Sequence, residues 1–182
     1  LNKFFPAGFY YKTFMWPKSF WYKVYEPFIR KAAGFGVASI KHDKERYEHK
    51  YEYCDLLITG SGPSGLASAY AAAKNGARVI LAEDKPRFGG SLLTSEVTIG
   101  NQSGKEWANS IITELKEMPN VIVKNRAQVF GYYDHNMLVM SERINDHLPK
   151  SKKYSPKQRL WYIRAKEVVI SSGSIERPLV FG

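Results

Sequence analysis

The alternation of apolar and polar positions predicts strands and helices in turn over most of the chain. Residues 55–59 and 78–82 are short apolar runs, and the alanine-rich stretch 64–74 between them predicts a helix. A strand, a helix and a strand within about 30 residues predict a βαβ unit with parallel strands.

A second amphipathic helix and several short strands are predicted after this unit. Trp107, Ile111, Leu115 and Met118 recur at helical spacing, and Pro119 ends that helix. The strands expected after it are residues 121–123, 128–133, 137–141, 160–164 and 168–171. The predicted fold class is α/β: a Rossmann-like domain with a parallel sheet and helices, plus a small antiparallel β-meander.

An aromatic-rich helical segment is expected to precede this domain. Ser19 is a candidate N-cap, and Phe20, Val24 and Phe28 follow at helical spacing, with Pro27 expected to kink or restart the helix. Residues 42–53 are polar and predict a linker, so the expected domains are 1–53 and 54–182, the second incomplete at its C-terminus. Further aromatic residues are expected to pack on another domain or subunit, or on this chain's own sheet; these are Phe4, Phe5, Phe9, Tyr10, Tyr11, Phe14 and Trp16.

Composition narrows the class of protein. The chain has 182 residues, of which 44% are hydrophobic and 24% charged, as in ordinary globular proteins. No apolar run approaches the roughly 20 residues of a membrane span, and no signal peptide is visible, so we expect a soluble cytoplasmic protein without a membrane partner. The single cysteine, Cys54, excludes an internal disulfide, and the four histidines lack metal-ligand spacing, so no metal site is expected.

The net charge of +10 raises the question of a nucleic-acid partner. The densest basic stretch, 150–166, has no stacking pattern or nucleic-acid motif around it. We therefore interpret it as a solvated loop between two strands, and nucleic acid is not an expected partner. The chain begins at Leu1 without Met and stops at Gly182 after a predicted strand and loop, so we expect a fragment of a larger protein.

The residues with the clearest chemistry are three glycines between the first strand and the first helix of the βαβ unit. Gly60, Gly62 and Gly65 form a G-x-G-x-x-G motif. The first allows a tight turn, the second lets backbone approach a pyrophosphate, and the third lets the helix pack closely on the sheet. The helix N-terminus then offers free N–H groups and the positive end of its dipole to phosphates.

Glu83 ends the second strand, 23 residues after Gly60. A carboxylate there can accept hydrogen bonds from both hydroxyls of an adenosine ribose, and it repels a 2′-phosphate, which favours NAD or FAD over NADP. The alternative interpretation is that Glu83 only ends a strand at the surface.

Two further glycine segments follow in the order typical of two-dinucleotide-binding flavoproteins. One is Phe88-Gly89-Gly90-Ser91; the other is Ser171-Ser172-Gly173 with Glu176-Arg177-Pro178. The full set of predicted cofactor-binding residues is Gly60, Ser61, Gly62, Pro63, Ser64, Gly65, Glu83, Asp84, Gly89, Gly90, Ser91, Val129, Ser172 and Gly173. No catalytic residue is assigned.

Several longer strings resemble the alpha subunits of heterotetrameric sarcosine oxidases, within the two-dinucleotide-binding FAD/NAD(P) oxidoreductase superfamily. The resemblance covers nearly the whole chain. It is carried by the aromatic stretch 11–34, by 88–93 around the glycine pair, by the "GYYDHN" string at 131–136 and by the "IERPLVFG" string at 175–182.

This resemblance implies a function for the whole assembly. In that family the alpha subunit holds a dinucleotide, taken to be NAD, while a flavin-bearing beta subunit oxidises the N-methyl group of sarcosine to yield glycine. The partners implied are the other subunits of a heterotetrameric oxidase, and the small-molecule substrate is handled by the complex. The fragment alone is expected to be inactive.

Two other functions stay open at this point. An independent oxidoreductase with FAD at the same site would carry every motif named above. A non-catalytic scaffold subunit stabilised by its bound nucleotide would carry them too.

Overall fold

A computed structural model of the chain describes residues 16–36, 38–148 and 155–174. The expectations for the aromatic residues 4–14, the "IERPLVFG" string, Glu176-Arg177-Pro178 and the first part of the basic stretch lie outside the described residues. The chain divides into two compact units, Leu1–Asp43 and Lys44–Gly182. The sequence expectation put this division ten residues later, after residue 53.

The first unit contains the helix expected from the aromatic pattern. A π-helical turn, Trp21–Tyr25, leads directly into helix α1, Glu26–Ala32. Pro27 lies in the first turn of α1, at the junction with the π-helical turn, where its missing N–H cannot donate to the preceding turn. The Nε of Arg30 donates to Glu26 one turn earlier at 2.6 Å.

The second unit alternates strands and helices, as expected. Its helices are α2, Pro63–Lys74, and α3, Gly104–Glu117, with short 3₁₀ turns at Gly90–Leu93 and Asp134–Asn136. Its strands are β1 Tyr47–Thr59, β2 Val79–Ala82, β3 Thr98–Ile99, β4 Gln102–Ser103, β5 Val121–Lys124, β6 Ala127–Tyr133, β7 Met137–Arg143 and β8 Gln158–Ile170.

Six of these strands form one mixed sheet in the order β5-β2-β1-β8-β7-β6. β5, β2, β1 and β8 run parallel, whereas β8, β7 and β6 form an antiparallel meander. β3 and β4 form a separate two-stranded ribbon. The predicted fold class, a Rossmann-like parallel sheet with helices and an added meander, is confirmed.

Strands β1 and β8 are longer than the apolar runs in their sequences predict. They pair in parallel from Tyr47 opposite Gln158 to Thr59 opposite Ile170, so residues 47–53, expected as linker, form the first half of β1. The two strands expected at 160–164 and 168–171 are one strand. Cross-strand contacts stabilise this polar half: the rings of Tyr51 and Tyr162 stack 5.0 Å apart.

Part of the basic stretch therefore lies on β8 rather than in a loop, and its charges have partners within the sheet. Arg159 donates to Glu48 at 2.8 Å, and Lys166 lies 2.7 Å from Asp55. The interpretation of a solvated loop was wrong for this part of the stretch, because pairing with β1 supplies both hydrogen bonds and counter-charges.

Two apolar clusters cover the two faces of the sheet. Ile58 and Leu66 belong to the cluster beneath α2 and α3, whereas Leu57 and Trp161 belong to the cluster beneath the meander. Adjacent residues of β1 thus enter opposite cores, as expected for a strand buried on both faces. This packing brings the carboxyl ends of β1, β2 and β8 to one edge of the sheet. Among the described residues, no helix is both long and apolar enough to cross a membrane.

Candidate dinucleotide-binding site

The tight turn after β1 depends on Gly60. Its φ of +97° is unfavourable for residues with a side chain. A Cβ at this position would also lie 2.4 Å from the carbonyl oxygen of Ser171 at the end of β8. Both the backbone conformation and the packing of the turn therefore require glycine.

Gly65 allows helix α2 to pack against the same turn. A Cβ there would lie 2.0 Å from the Gly60 carbonyl oxygen and 2.7 Å from the hydroxyl of Ser171. That hydroxyl donates to the carbonyls of Thr59 at 2.9 Å and Gly60 at 3.0 Å. Ser171 was not among the predicted site residues, although it stands directly before Ser172-Gly173 at the end of β8.

The N-terminus of α2 is open where Gly62 forms the N-cap. Among the described residues, no side chain caps this end of the helix, and a Cβ added to Gly62 would meet no atom within 4 Å. Pro63 is the first helical residue and lacks an N–H, whereas Leu66 donates to the Gly62 carbonyl at 2.9 Å. A helix end of this kind attracts anions through its exposed amides and dipole.

The Gly89–Gly90 pair lies directly against the turn at Gly60–Gly65. The Gly89 N–H donates to the Ser61 carbonyl at 3.0 Å, and a Cβ on Gly90 would lie 2.9 Å from the Cα of Gly62. The structure thus brings the Gly60–Gly65 and Gly89–Gly90 segments together, 28 residues apart along the chain.

Glu83 is buried at this junction rather than projecting from the surface, with 5% of the residue exposed. Its Oε2 accepts hydrogen bonds from the backbone N–H of Ser61 at 2.9 Å and from the Ser61 hydroxyl at 2.5 Å. Its Oε1 accepts from the backbone N–H of Lys85 at 2.9 Å. The interpretation of Glu83 as an ordinary surface strand end does not fit this burial.

Hydrogen bonding keeps Glu83 ionised despite its burial. Burial raises the pKa of this carboxyl, but the hydrogen bonds from Asp84, Ser61 and Lys85 outweigh it and hold the pKa below its usual range. The pKa of Asp84 is raised, first because of its hydrogen bond with Glu83 and then by desolvation. Of the two adjacent carboxyls, Glu83 therefore carries the negative charge more readily.

The remaining predicted residues lie around this centre at varied exposure. Ser64, Asp84, Ser91, Ser172 and Gly173 are exposed. Val129 is half-buried on β6 and packs against the cluster beneath the meander. β6 begins beside the acidic residue, since the Ala127 N–H donates to the Glu83 carbonyl at 2.8 Å.

The residues present fit an adenine dinucleotide. The space in front of Gly62 and the uncapped end of α2 suit a pyrophosphate, and the Glu83 carboxylate lies at the end of the adjacent strand, where a ribose hydroxyl is recognised in such folds. Among the described residues, no three His, Cys, Asp or Glu side chains gather into a group that could hold a metal ion.

Comparison with known proteins identifies the class. Residues 55–145 match the family of FAD dependent oxidoreductases, and the chain belongs to this family.

The chain is also similar to particular sarcosine oxidase subunits. It is 47% identical to the sarcosine oxidase subunit alpha of Rhizobium meliloti (strain 1021) over 182 residues, all of this chain and 18% of that protein. It is 36% identical to the same subunit of Corynebacterium sp. (strain U-96) over 152 residues, 82% of this chain and 16% of that protein. The chain thus spans less than a fifth of the length of these curated relatives.

A solved structure agrees with the fold. The L-proline dehydrogenase from P. horikoshii superposes with a TM-score of 0.57 over 80% of this chain and 27% of that chain, at 19% sequence identity. At this identity the likeness supports the fold alone.

Proposed function

We propose that this chain is the dinucleotide-binding part of a sarcosine oxidase-type alpha subunit, serving a multi-subunit flavoenzyme that oxidatively demethylates sarcosine to glycine. The observation that carries the proposal is the 47% identity to such a subunit along the entire chain. Three features support the proposal independently of the alignment: the turn at Gly60–Gly65, the open N-terminus of α2 and the buried Glu83.

In this proposal the residues of the chain bind and orient the nucleotide. The amides at the start of α2 and the backbone at Gly62 hold the pyrophosphate, and Glu83 accepts a ribose hydroxyl. Gly89 and Gly90 let a second backbone segment approach, and Ser172 with Gly173 lies beside the site at the end of β8. A dinucleotide bound there would supply two-electron redox chemistry.

The proposed cofactor is NAD, following the resemblance to the alpha subunits. FAD is the second candidate, since the family whose model matches residues 55–145 is described as FAD dependent. The buried negative charge of Glu83 disfavours a 2′-phosphate in either case, so NADP is not proposed.

The proposed partners follow from the relatives, which are named as alpha subunits. We infer a flavin-bearing beta subunit as the partner that oxidises the amine, and a cytoplasmic location for the complex. The residues before β1, 1–46, are proposed to link this domain to the rest of the subunit.

The first experiment is to denature the purified chain and identify the released nucleotide by mass spectrometry. NAD is the expected result, and FAD would transfer the flavin chemistry to this chain and favour the second candidate. If neither is released and neither binds when added, the proposal of a dinucleotide site is overturned.

Substitution of Glu83 tests the site directly. Glu83→Ala is expected to weaken nucleotide binding by roughly 1.5–3 kcal/mol, the range for a hydrogen bond to a charged group. Glu117→Ala, at the exposed end of α3, is the matched control and should bind as the unaltered chain does. Equal affinity in both variants would remove Glu83 from the site.

A further inference from the structure

Ser61 stands inside the glycine motif but is fully buried, with none of the residue exposed. Its backbone N–H and its hydroxyl both donate to one oxygen of Glu83, at 2.9 Å and 2.5 Å. The same hydroxyl accepts the Gly89 N–H at 3.2 Å, and the Ser61 carbonyl accepts it at 3.0 Å. Ser61 thus joins three features: the turn at Gly60–Gly65 in which it lies, the Glu83 carboxylate and the Gly89–Gly90 pair.

These bonds limit how Glu83 can meet a ligand. A carboxylate offers about four acceptor positions, two on each oxygen. Ser61 occupies both positions of Oε2, and the Lys85 N–H occupies one position of Oε1. Because Ser61 fills Oε2, a ligand hydroxyl would meet Glu83 on Oε1, where it would take the place of the hydrogen bond with the exposed Asp84 side chain. The orientation of Oε1 depends on what holds Oε2.

We propose that Ser61 is a positioning residue, whose hydroxyl fixes the Glu83 carboxylate so that Oε1 is presented to a ribose hydroxyl of the dinucleotide. This inference rests on the proposed nucleotide-binding function. It assigns Ser61 an indirect role, acting through Glu83 rather than through contact with the nucleotide. Because the Ser61 hydroxyl also accepts the Gly89 N–H, it helps to position the Gly89–Gly90 pair as well.

A double-mutant cycle tests whether Ser61 acts through Glu83. Ser61→Ala, Glu83→Gln and the double variant are prepared in the full chain, and their affinities for NAD and for FAD are measured by calorimetry. Ser61→Ala is expected to weaken binding about tenfold, and the double variant is expected to bind no more weakly than Glu83→Gln alone. The control is Ser68→Ala, which removes a half-buried hydroxyl from α2 outside the glycine turn and should leave affinity unchanged.

The Glu83 carboxyl provides a second readout that needs no nucleotide. Its ¹³C chemical shift is followed through a pH titration in the unaltered chain and in Ser61→Ala. Loss of the hydroxyl is expected to raise the pKa of Glu83, because a hydrogen bond that favours the ionised form is removed. Should Ser61→Ala fail to fold, Ser61→Cys keeps a similar shape with a weaker donor and is used in the same two measurements.

The outcomes separate this inference from the proposed function. If Ser61→Ala binds as the unaltered chain does while Glu83→Gln binds weakly, the site stands and the positioning role is wrong. Additive losses in the double variant, or an unchanged Glu83 titration, would also overturn it. If the unaltered chain binds neither nucleotide, the proposed function fails, and the positioning role toward that nucleotide fails with it, whatever the titration gives.

Discussion

Gly62 and Gly65 stand three residues apart in one motif, but the space around them differs. A methyl group on Gly62 would enter open space, whereas one on Gly65 would lie 2.0 Å from the Gly60 carbonyl oxygen. The first glycine therefore leaves room for a ligand, and the second is required for the packing of α2 on the turn.

This difference gives a matched pair of variants. Gly65→Ala is expected to destabilise the fold by about 1–3 kcal/mol or more through overpacking. Gly62→Ala is expected to cost at most about 1 kcal/mol, from a poorer N-cap, while weakening nucleotide binding. Thermal unfolding and nucleotide titration of both variants test this, and equal melting temperatures would contradict the assignment of Gly65 to packing.

Cys54 illustrates a residue whose chemistry is suppressed by its place in the sheet. It is 2% exposed on β1, and burial, with Asp55 and Glu52 nearby, raises the pKa of its thiol to about 12. The thiolate is the reactive form of cysteine, so native Cys54 should be inert at ordinary pH.

We therefore expect negligible modification of Cys54 by iodoacetamide at pH 8 in the native chain. In denaturant its pKa returns toward about 8.5, and one equivalent of reagent should react. Intact-mass spectrometry follows both reactions, and rapid labelling of the native chain would show that the thiol is accessible.

At the scale of single elements, helix α3 shows how local sequence signals start a helix. Ser103 accepts the Glu106 N–H at 3.3 Å, and the Glu106 carboxylate accepts the Ser103 N–H at 3.0 Å, which completes a capping box. The helix begins at Gly104 as a result and packs Ile111 and Leu115 into the core.

Removal of this cap should destabilise the chain measurably. Ser103→Ala is expected to lower the free energy of unfolding by about 1 kcal/mol, the typical value for loss of an N-cap. Asn109→Ala, on the exposed face of the same helix, serves as the control and should not destabilise it. Urea unfolding of both variants gives the comparison, and equal midpoints would argue against the cap.

Asp55 on β1 contacts β8 and the residue before β2, and these contacts predict that the free energy of unfolding depends on pH. Its carboxylate lies 2.7 Å from the Lys166 ammonium on β8 and accepts the Arg78 N–H before β2 at 2.8 Å. The bond to Lys166, followed by that to Arg78, lowers the pKa of Asp55. Its stabilising contribution is complete above the unfolded pKa of about 3.9 and is lost as pH falls through the lower folded value.

Accordingly, Asp55→Asn should show a smaller fall in stability between pH 5 and pH 2 than the unaltered chain. Lys166→Ala removes the partner and should shift the dependence in the same direction. Lys105→Ala, which removes an exposed lysine from the start of α3, is the control. Thermal melts across this range measure the effect, and parallel curves for all four chains would contradict it.

At the scale of the whole molecule, the division into two compact units predicts that a protease cuts near their boundary before it cuts within the adjoining strand β1. Residues 38–46 are exposed and contain neither helix nor strand, and they include Lys41, Lys44 and Arg46. Lys50 lies only a few residues further on, but it belongs to β1. Backbone held in a sheet resists cleavage because a protease needs an extended segment that is locally unfolded.

Brief digestion with trypsin should therefore cut after Lys41, Lys44 or Arg46 before it cuts after Lys50. Mass spectrometry of the early products identifies the bonds. Early cleavage after Lys50 would show that the first half of β1 is not held in the sheet.

Local sequence patterns were enough to predict the central part of this fold and most residues of the proposed site. The alanine-rich stretch located α2, and the apolar patterns located α3 and the strands β2, β5, β6 and β7, but not the ribbon of β3 and β4. The glycine spacing placed a tight turn between β1 and α2. These features depend on neighbours within a few residues, so local patterns suffice to predict them. The resemblance to the sarcosine oxidase alpha subunits also followed from the sequence.

The contacts that join distant segments of the chain could be found only in the folded structure. The polar first half of β1 became a strand because its seven residues pair with Gln158–Arg164 of β8, and no local pattern encodes that partner. Ser61 lies 22 residues from the Glu83 it holds, and Ser171 lies 111 residues from the Gly60 carbonyl it contacts. Hydrogen bonds between such residues form only when the sheet places the strand ends side by side, which is why their roles are visible in the fold and not in the motif.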